Sequence, residues 1–152
     1  MPLKNPPFWL AALVSLLLDR FSKFWVLYNF DLGESWPLWR GVFHLTYVTN
    51  KGAAFSLFSQ GGGWLRWLSL GVSIGLMVFA WVAPNLNRWE QVGYGLILAG
   101  ALGNGIDRLA AGEVIDFLDF RLINFPIFNW ADISINLGIA CLLIAAFQKK
   151  EE

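Results

Sequence analysis

The chain has 152 residues, of which 57% are hydrophobic and only 14% are charged. Soluble domains carry about 25% charged residues, so the composition argues against a soluble domain and indicates a small polytopic membrane protein. The formal net charge is zero and no basic run is present, so nucleic acid is not expected as a partner. The only cysteine, Cys141, cannot form an intramolecular disulfide, and one histidine with one cysteine cannot build a His/Cys metal cluster.

Four apolar segments are predicted to be transmembrane helices. Each is close to the length of about 20 residues that a helix needs to cross about 30 Å of hydrocarbon. Helix is favoured because lipid cannot satisfy exposed backbone groups. The segments are residues 8–28, 64–83, 91–109 and 129–147. The first lacks a small-residue cleavage site, so we expect it to remain as a span. We predict a single integral membrane domain over residues 1–152.

The connections between the predicted helices differ in length. Residues 84–90 form a tight polar turn, whereas 29–63 and 110–128 are long. Both long connections contain β-branched and aromatic runs, at 42–49 and 114–120, which predict strands. With four spans, both long connections lie on the same membrane face. We therefore predict a small β-rich platform on one face, with both termini and the short turn on the other.

The first long connection ends in turn and linker signals. Asn50-Lys-Gly52 predicts a turn, and glycines 61–63 predict a flexible link to the second helix. We expect the loop 50–58 to move as a lid over a site beneath it.

Two charged residues of the first helix are spaced as an intrahelical pair. Asp19 and Lys23 are four residues apart, so their side chains lie on one helix face. The simplest interpretation is a structural ion pair near the membrane interface, with Lys23 extending its ammonium group towards water. A role in fixing the neighbouring loop is the alternative.

The third helix carries a polar cluster near its end. Asn104, Asp107 and Arg108 occupy positions i, i+3 and i+4, which lie on one face. One interpretation is structural: an Asp107–Arg108 pair and an amide that hold helices together. The other is a role in positioning a substrate. The residues alone leave both open.

The fourth helix begins with a polar stripe. Asn129, Asp132 and Asn136 lie at i, i+3 and i+7 on an otherwise apolar helix. No basic residue lies near Asp132 in the sequence, so this carboxyl group needs a partner from elsewhere in the fold.

Asp116 is the natural partner of Asp132, because its strand-like segment is joined to the fourth helix by a short connection. Two carboxyl groups that share one site cannot both ionise cheaply, so one keeps a proton. Such a pair can act as general base and general acid on a shared water, which is the requirement for aspartic peptide hydrolysis. Asp119 and Asp107 compete for the same role.

Four blocks of the sequence, taken in order, resemble the bacterial lipoprotein signal peptidases (signal peptidase II). The match spans nearly the whole chain, and the combined spacing is specific. The blocks are Asp19-Arg-Phe-Ser-Lys23, Asn50-Lys-Gly-Ala-Ala-Phe-Ser56, Gly100-Ala-Leu-Gly-Asn-Gly-Ile-Asp-Arg108 continued by Gly112-Glu-Val-Ile-Asp-Phe-Leu-Asp-Phe120, and Phe128-Asn-Trp-Ala-Asp132. One departure is mild: Arg20 stands where members of the family often carry Gln.

The resemblance implies a four-helix intramembrane aspartyl endopeptidase. It would remove signal peptides from diacylglyceryl-modified prolipoproteins, cutting before the lipidated cysteine. The implied catalytic pair is Asp116 and Asp132, with Asp19 and Lys23 in structural roles. The positions implied to bind substrate or support the site are Asn50, Gly52, Asn104, Asp107, Arg108, Asn129 and Ala131. No cofactor and no metal are implied.

The resemblance also implies a location and an orientation. The protein would be a multi-pass, monomeric protein of the bacterial cytoplasmic (inner) membrane, in contact with membrane lipid, with cytoplasmic termini and the β-rich loops at the outer leaflet. The count of Lys and Arg is nearly equal on the two faces and leans slightly towards loops inside. We follow the resemblance against this weak preference.

Two other functions fit a helical membrane protein with buried carboxyl groups. The first is a small proton- or ion-coupled transport protein, in which the carboxylates form a relay. The polar groups cluster near one face, however, and the chain shows no internal repeat of the kind found in transporter halves. The second is a purely structural or partner-binding protein, in which every buried polar group holds helices together.

Overall fold

Four helices and three strands form the described part of the chain. The structure, a computed structural model, describes residues 4–52, 62–84 and 86–151. The elements are α1 (Pro6–Asn29), β1 (Ser35–Trp39), β2 (Phe43–Asn50), α2 (Leu65–Val82), α3 (Arg88–Ala111), β3 (Val114–Phe120) and α4 (Trp130–Glu151). Each predicted helix is confirmed as a helix, and the two predicted strand segments are confirmed as β2 and β3.

The three strands form one antiparallel sheet in the order β1-β2-β3. The first long connection supplies β1 and β2 and the second supplies β3, which confirms the predicted platform. In the register between β2 and β3, Asn50 lies opposite Val114 and Val48 lies opposite Asp116. The end of β2 is thereby brought beside the residue predicted to be catalytic.

Alternation along β3 determines which way Asp116 faces. Phe117 packs with Val26 and Phe30 in a buried apolar cluster beneath the sheet. Successive side chains of a strand point to opposite faces, so Asp116 faces away from this cluster. A shift of the strand by one residue would exchange the two faces. Burial of Phe117 against the end of α1 therefore fixes the direction of the carboxyl group.

Helix α3 lies at the centre and packs against the other three helices. Glycines of α3 and α4 let the helices approach one another closely. A Cβ atom on Gly138 of α4 would lie 2.6 Å from the carbonyl oxygen of Gly93 in α3, and one on Gly103 would lie 2.6 Å from Asp19 Oδ2. The missing side chain at Gly103 lets a carboxylate of α1 reach the backbone of α3.

Two helices of the described ranges are long and apolar enough to cross a membrane. They contain the spans Leu65–Val82 and Trp130–Lys149, with mean hydropathy 1.7 and 1.8. Helix α1 carries three charged residues in its second half, Asp19, Arg20 and Lys23, which lower its apolar character. A four-span arrangement therefore stays a prediction.

Candidate active site

A cavity of about 1140 Å³ lies between the sheet and the ends of α3 and α4. Several of the predicted site residues line it together, with apolar side chains of the β3–α4 connection and of α4 completing its wall. Its polar lining includes Asn50, Lys51, Asn104, Arg108, Asp116, Asp132 and Asn136. The fold thus brings side chains from four elements to one space.

Asp116 is buried in the wall of this cavity, with 3% of the residue exposed. Its Oδ1 accepts a hydrogen bond of 2.7 Å from Asn129 Nδ2, and its Oδ2 accepts one of 3.3 Å from Asn50 Nδ2. Burial, followed by the charge of Asp132, raises the pKa of Asp116 to about 7. At neutral pH this carboxyl group exchanges its proton readily.

Asp132 lies in the first turn of α4 and is held there by a reciprocal capping arrangement. Its backbone N–H donates to Asn129 Oδ1 at 3.0 Å, and the backbone N–H of Asn129 donates to Asp132 Oδ2 at 3.1 Å. Asn104 Nδ2 donates to the other carboxylate oxygen at 3.0 Å. Both oxygens of Asp132 therefore have fixed directions, Oδ2 through the cap of α4 and Oδ1 through Asn104 of α3.

Two amides join the carboxyl groups into one network. The Nδ2 of Asn129, a fully buried residue, donates to Asp116 and also to Asn104 Oδ1 at 3.0 Å. Asn104 donates in turn to Asp132. The capping role of Asn129 was missed by the sequence analysis, although the order Asn-x-x-Asp before an apolar run is a signal for a helix start.

Beneath these amides lies a ring of four charges, which we call the charge ring: Asp19, Arg20, Lys23 and Asp107. Lys23 Nζ lies 2.7 Å from Asp107 Oδ2 and 3.1 Å from Asp19 Oδ1. Arg20 lies 2.7 Å from Asp19 Oδ2 and 2.8 Å from Asp107 Oδ1. Each cation contacts both anions, so the predicted structural pair is part of a larger assembly.

Two interpretations from the sequence are wrong. Lys23 does not extend towards water, because the residue is 1% exposed and its ammonium group also donates to Asn104 Oδ1 at 3.0 Å. Asp107 forms its ion pairs with Lys23 and Arg20 of α1, and not with its neighbour Arg108. Adjacent residues of a helix do not face each other, so cations of another helix reach Asp107 more directly.

Arg108 connects the first loop, α2 and the cavity. Its guanidinium donates to the carbonyl oxygen of Gly52 at 3.1 Å and to Ser69 Oγ at 3.4 Å, and its charge acts on both Asp116 and Asp132. The predicted turn is present, since the backbone N–H of Gly52 donates to Asn50 Oδ1 at 2.8 Å. Most of the predicted lid loop, residues 53–58, lies outside the described residues.

The remaining residues of interest lie beside the network or apart from it. Ala131 is fully buried, and its backbone N–H donates to Asp19 Oδ1 at 3.1 Å. Asp119, a rival for the catalytic role, is bound by Thr46 Oγ1 at 2.6 Å and by Arg121 Nε at 2.7 Å. These partners tie Asp119 to a separate polar cluster within the sheet.

The arrangement suits acid–base chemistry on a bound molecule. The charge of the partly buried Asp132 acts on the buried Asp116 and, with burial, raises the pKa of Asp116 to about 7. One member is then available as a base while the other donates a proton. Fixed amide donors and an arginine in the same cavity can stabilise negative charge that develops beside them.

Fold and site together define a helical bundle with a small sheet, in which a buried aspartate of the sheet and a partly buried one of α4 line the same cavity. A family model described as "Signal peptidase (SPase) II" matches residues 11–148. The chain belongs to the signal peptidase II family. This membership favours a peptidase over the transport and structural alternatives.

Curated relatives and solved structures agree with this membership. The lipoprotein signal peptidase of Cyanothece sp. (strain PCC 7425 / ATCC 29141) is 69% identical over 97% of this chain and 87% of the relative. That of Synechocystis sp. (strain ATCC 27184 / PCC 6803 / Kazusa) is 64% identical over 95% and 89%. A solved bacterial membrane enzyme superposes with a TM-score of 0.84 at 31% identity, covering 93% of this chain and 87% of that chain. A second superposes with a TM-score of 0.79 at 32% identity, covering 90% of each.

A substitution at Asn129, compared with a matched control, separates the effect of helix capping from the effect of the site geometry. Asn129→Ala removes a cap of α4 and the bond to Asp116. We expect a loss of about 1 kcal/mol in the free energy of unfolding and a fall of about 100-fold in kcat. Thermal unfolding in detergent and a peptide-cleavage assay measure the two effects.

The matched control is Asn87→Ala, because Asn87 caps α3 through an equivalent reciprocal arrangement with Glu90. This variant should lose similar stability and keep its kcat. Equal activity losses in the two variants would show that Asn129 acts only as a helix cap.

Proposed function

We propose that this chain is an aspartic endopeptidase whose catalytic pair is Asp116 and Asp132. As a member of the signal peptidase II family with relatives that are lipoprotein signal peptidases, it removes signal peptides from lipoproteins. The aspartic mechanism is supported by one observation above all. A buried and a partly buried carboxyl group from different elements are joined through Asn129 and Asn104 in a single cavity.

Hydrolysis then follows from the shared proton. The ionised member of the pair takes a proton from a water molecule, whose oxygen forms a bond to the scissile carbonyl carbon. The protonated member donates to the carbonyl oxygen. When the C–N bond breaks, the leaving nitrogen receives one proton from the pair, and a hydroxyl group of the tetrahedral intermediate gives one back as the C=O bond re-forms. The pair then again holds one proton shared by two carboxyl groups.

The developing oxyanion needs donors that are fixed before the reaction. Arg108 supplies one, because its Nε is buried and has no hydrogen-bond partner among the described residues. The residues proposed to bind the substrate or to support the site are Asn50, Gly52, Asn104, Asp107, Arg108, Asn129 and Ala131. Of these, Asp107 and Ala131 act indirectly, through the charge ring and the helix start.

The substrate is proposed to be a diacylglyceryl-modified prolipoprotein, cut before the lipidated cysteine. Its signal peptide would enter the cavity sideways from the bilayer, with the acyl chains remaining in lipid. Apolar residues of α4 and of the connection before it line the cavity and suit an apolar peptide, including Ile133, Leu137 and Phe125. Access from lipid avoids bringing the acyl chains into water.

Four membrane spans are part of the same proposal. Helix α1 supports it, since its charged side chains turn inward to the charge ring while Leu13, Leu17, Phe21 and Phe24 are 56–73% exposed. An outward apolar surface of this kind suits lipid. We place the termini in the cytoplasm and the sheet at the outer leaflet of the bacterial inner membrane.

The enzyme is proposed to act as a monomer, because one chain supplies every proposed group. A dimer in a sedimentation measurement on the detergent-solubilised enzyme would contradict this.

Reporter fusions test the proposed orientation. Alkaline phosphatase joined after residue 40 should be active, because the sheet would lie outside the cytoplasm. The same reporter joined after residue 85 or residue 152 should be inactive. The reverse pattern would overturn the assigned orientation while leaving the catalytic pair untouched.

Loss of either carboxyl group should abolish the reaction. Asp116→Asn and Asp132→Asn remove the shared proton, and we expect kcat to fall by about 100- to 10,000-fold. Cleavage of a purified diacylated precursor, resolved by gel mobility, measures the effect. Asp119→Asn is the control, because Asp119 lies in the same strand but is bound to Thr46 and Arg121. Retained cleavage in Asp116→Asn or Asp132→Asn would refute the role of that residue.

A further inference from the structure

The charge ring contacts the backbone immediately before each proposed catalytic aspartate. Asp19 Oδ1 accepts a hydrogen bond of 3.1 Å from the N–H of Ala131, which precedes Asp132. Asp107 Oδ2 accepts one of 3.4 Å from the N–H of Ile115, which precedes Asp116. The two anions of the ring therefore each hold one of the two segments that carry the pair.

Arg20 connects these two anions. It donates to Asp19 Oδ2 through both Nε (3.1 Å) and Nη2 (2.7 Å), and its Nη1 lies 2.8 Å from Asp107 Oδ1. Nη2 also donates to the carbonyl oxygen of Gly103 at 3.0 Å, which anchors the guanidinium to α3. The planar fork of arginine holds several acceptors in a fixed relation, which a single amide cannot do.

We propose that Arg20 is a positioning residue that sets the distance between Asp116 and Asp132. It acts by fixing Asp19 relative to Asp107, and these carboxylates fix the backbone at Ala131 and Ile115. This inference rests on the proposed function of the aspartate pair. The residue itself does not touch the substrate.

Arg20 can be tested separately from the other members of the ring. The side chain of Lys23 is 2% exposed and holds three partners, so its loss leaves Arg20 as the one remaining cation of the charge ring for two buried carboxylates. Such a change destabilises the whole bundle. The side chain of Arg20 is 31% exposed, so water can replace part of the guanidinium after substitution. An effect on catalysis can then be measured in a folded protein.

Arg20 also balances the charge of the ring. Two cations and two anions give zero, and Arg20→Gln leaves a net charge of −1. The charged groups that act on Asp116 are Lys23 of α1, Arg108 of α3 and Asp132 of α4. An added net negative charge beneath them raises the pKa of Asp116 further. The pH range in which the pair holds one proton then moves upward.

The experiment compares kcat, KM and the pH profile of cleavage for wild type, Arg20→Gln and Arg20→Lys, with a diacylated precursor as substrate. For Arg20→Gln we expect kcat to fall about tenfold, KM to stay within about twofold, and both limbs of the pH profile to move to higher pH. Arg20→Lys keeps the positive charge but lacks the planar guanidinium group that holds several acceptors at once. It should recover the wild-type pH profile with kcat still reduced.

Arg121→Gln is the matched control, because it breaks the 2.7 Å ion pair of Arg121 with Asp119, away from the proposed catalytic pair. It should keep both kcat and the pH profile. Circular dichroism and thermal unfolding report the folded fraction of each variant.

Wild-type kcat and pH profile in Arg20→Gln would overturn the inference. A fall in kcat that only follows the folded fraction, with an unchanged profile, would overturn it as well. If Arg20→Gln fails to fold, Arg20→Lys decides, since full kcat in that variant contradicts a role for the fork. Failure of the proposed function is distinguishable, because it appears as retained cleavage in Asp116→Asn whatever Arg20 does.

Discussion

Charged groups buried among helices must be neutralised, and the arrangement of this bundle follows from how that is achieved. Two anions and two cations form the charge ring between α1 and α3, so that each charge has two partners of opposite sign. Removing a single partner from such an assembly leaves an uncompensated charge, which costs several kcal/mol. The charge ring also needs a glycine at position 103, because a side chain on Gly103 would collide with Asp19. The inward turn of these groups leaves the outer surface of α1 apolar.

The aspartate pair depends on this ring through short chains of hydrogen bonds. Lys23 reaches Asn104, and Asn104 reaches Asp132. Asn129 closes the network by binding Asp116 while it caps α4. Helix capping, charge neutralisation and the proposed catalytic geometry thus share the same few atoms. The cavity above them supplies space for a peptide, and Arg108 adds positive charge at its wall. In the proposed orientation, this pair would lie where water and a lipid-bound substrate can meet.

Local patterns in the sequence were sufficient for the helices and for β2 and β3, and insufficient for β1 and for the partners of the charged groups. Apolar segments of about 20 residues located the helices, and β-branched and aromatic runs located the two strands, because these signals are contained within each segment. Helix α3 begins at Arg88, three residues before the predicted start, since the capping pair of Asn87 and Glu90 lies in the polar turn. The spacing of Asp19 and Lys23 predicted their contact. Both cations that pair with Asp107 come from another helix, more than 80 residues away in the chain, and no local pattern records such a contact. The resemblance named the residues of the site, and the cap at Asn129 had a local signal in Asn-x-x-Asp that was missed, while the contacts of Arg20 required the fold.

The central claim is that Asp116 and Asp132 share a proton near neutral pH. The most direct measurement is a 13C NMR titration of the aspartate carboxyl carbons in detergent-solubilised enzyme, with the Asp116 signal assigned by its loss in Asp116→Asn. We expect a titration midpoint near pH 7 for Asp116, because burial and the charge of Asp132 both raise its pKa. In Asp132→Asn the titration midpoint of Asp116 should fall, because the negative charge of Asp132 no longer raises its pKa. A wild-type midpoint near the ordinary value of 3.8, or one unchanged by Asp132→Asn, would contradict the shared proton.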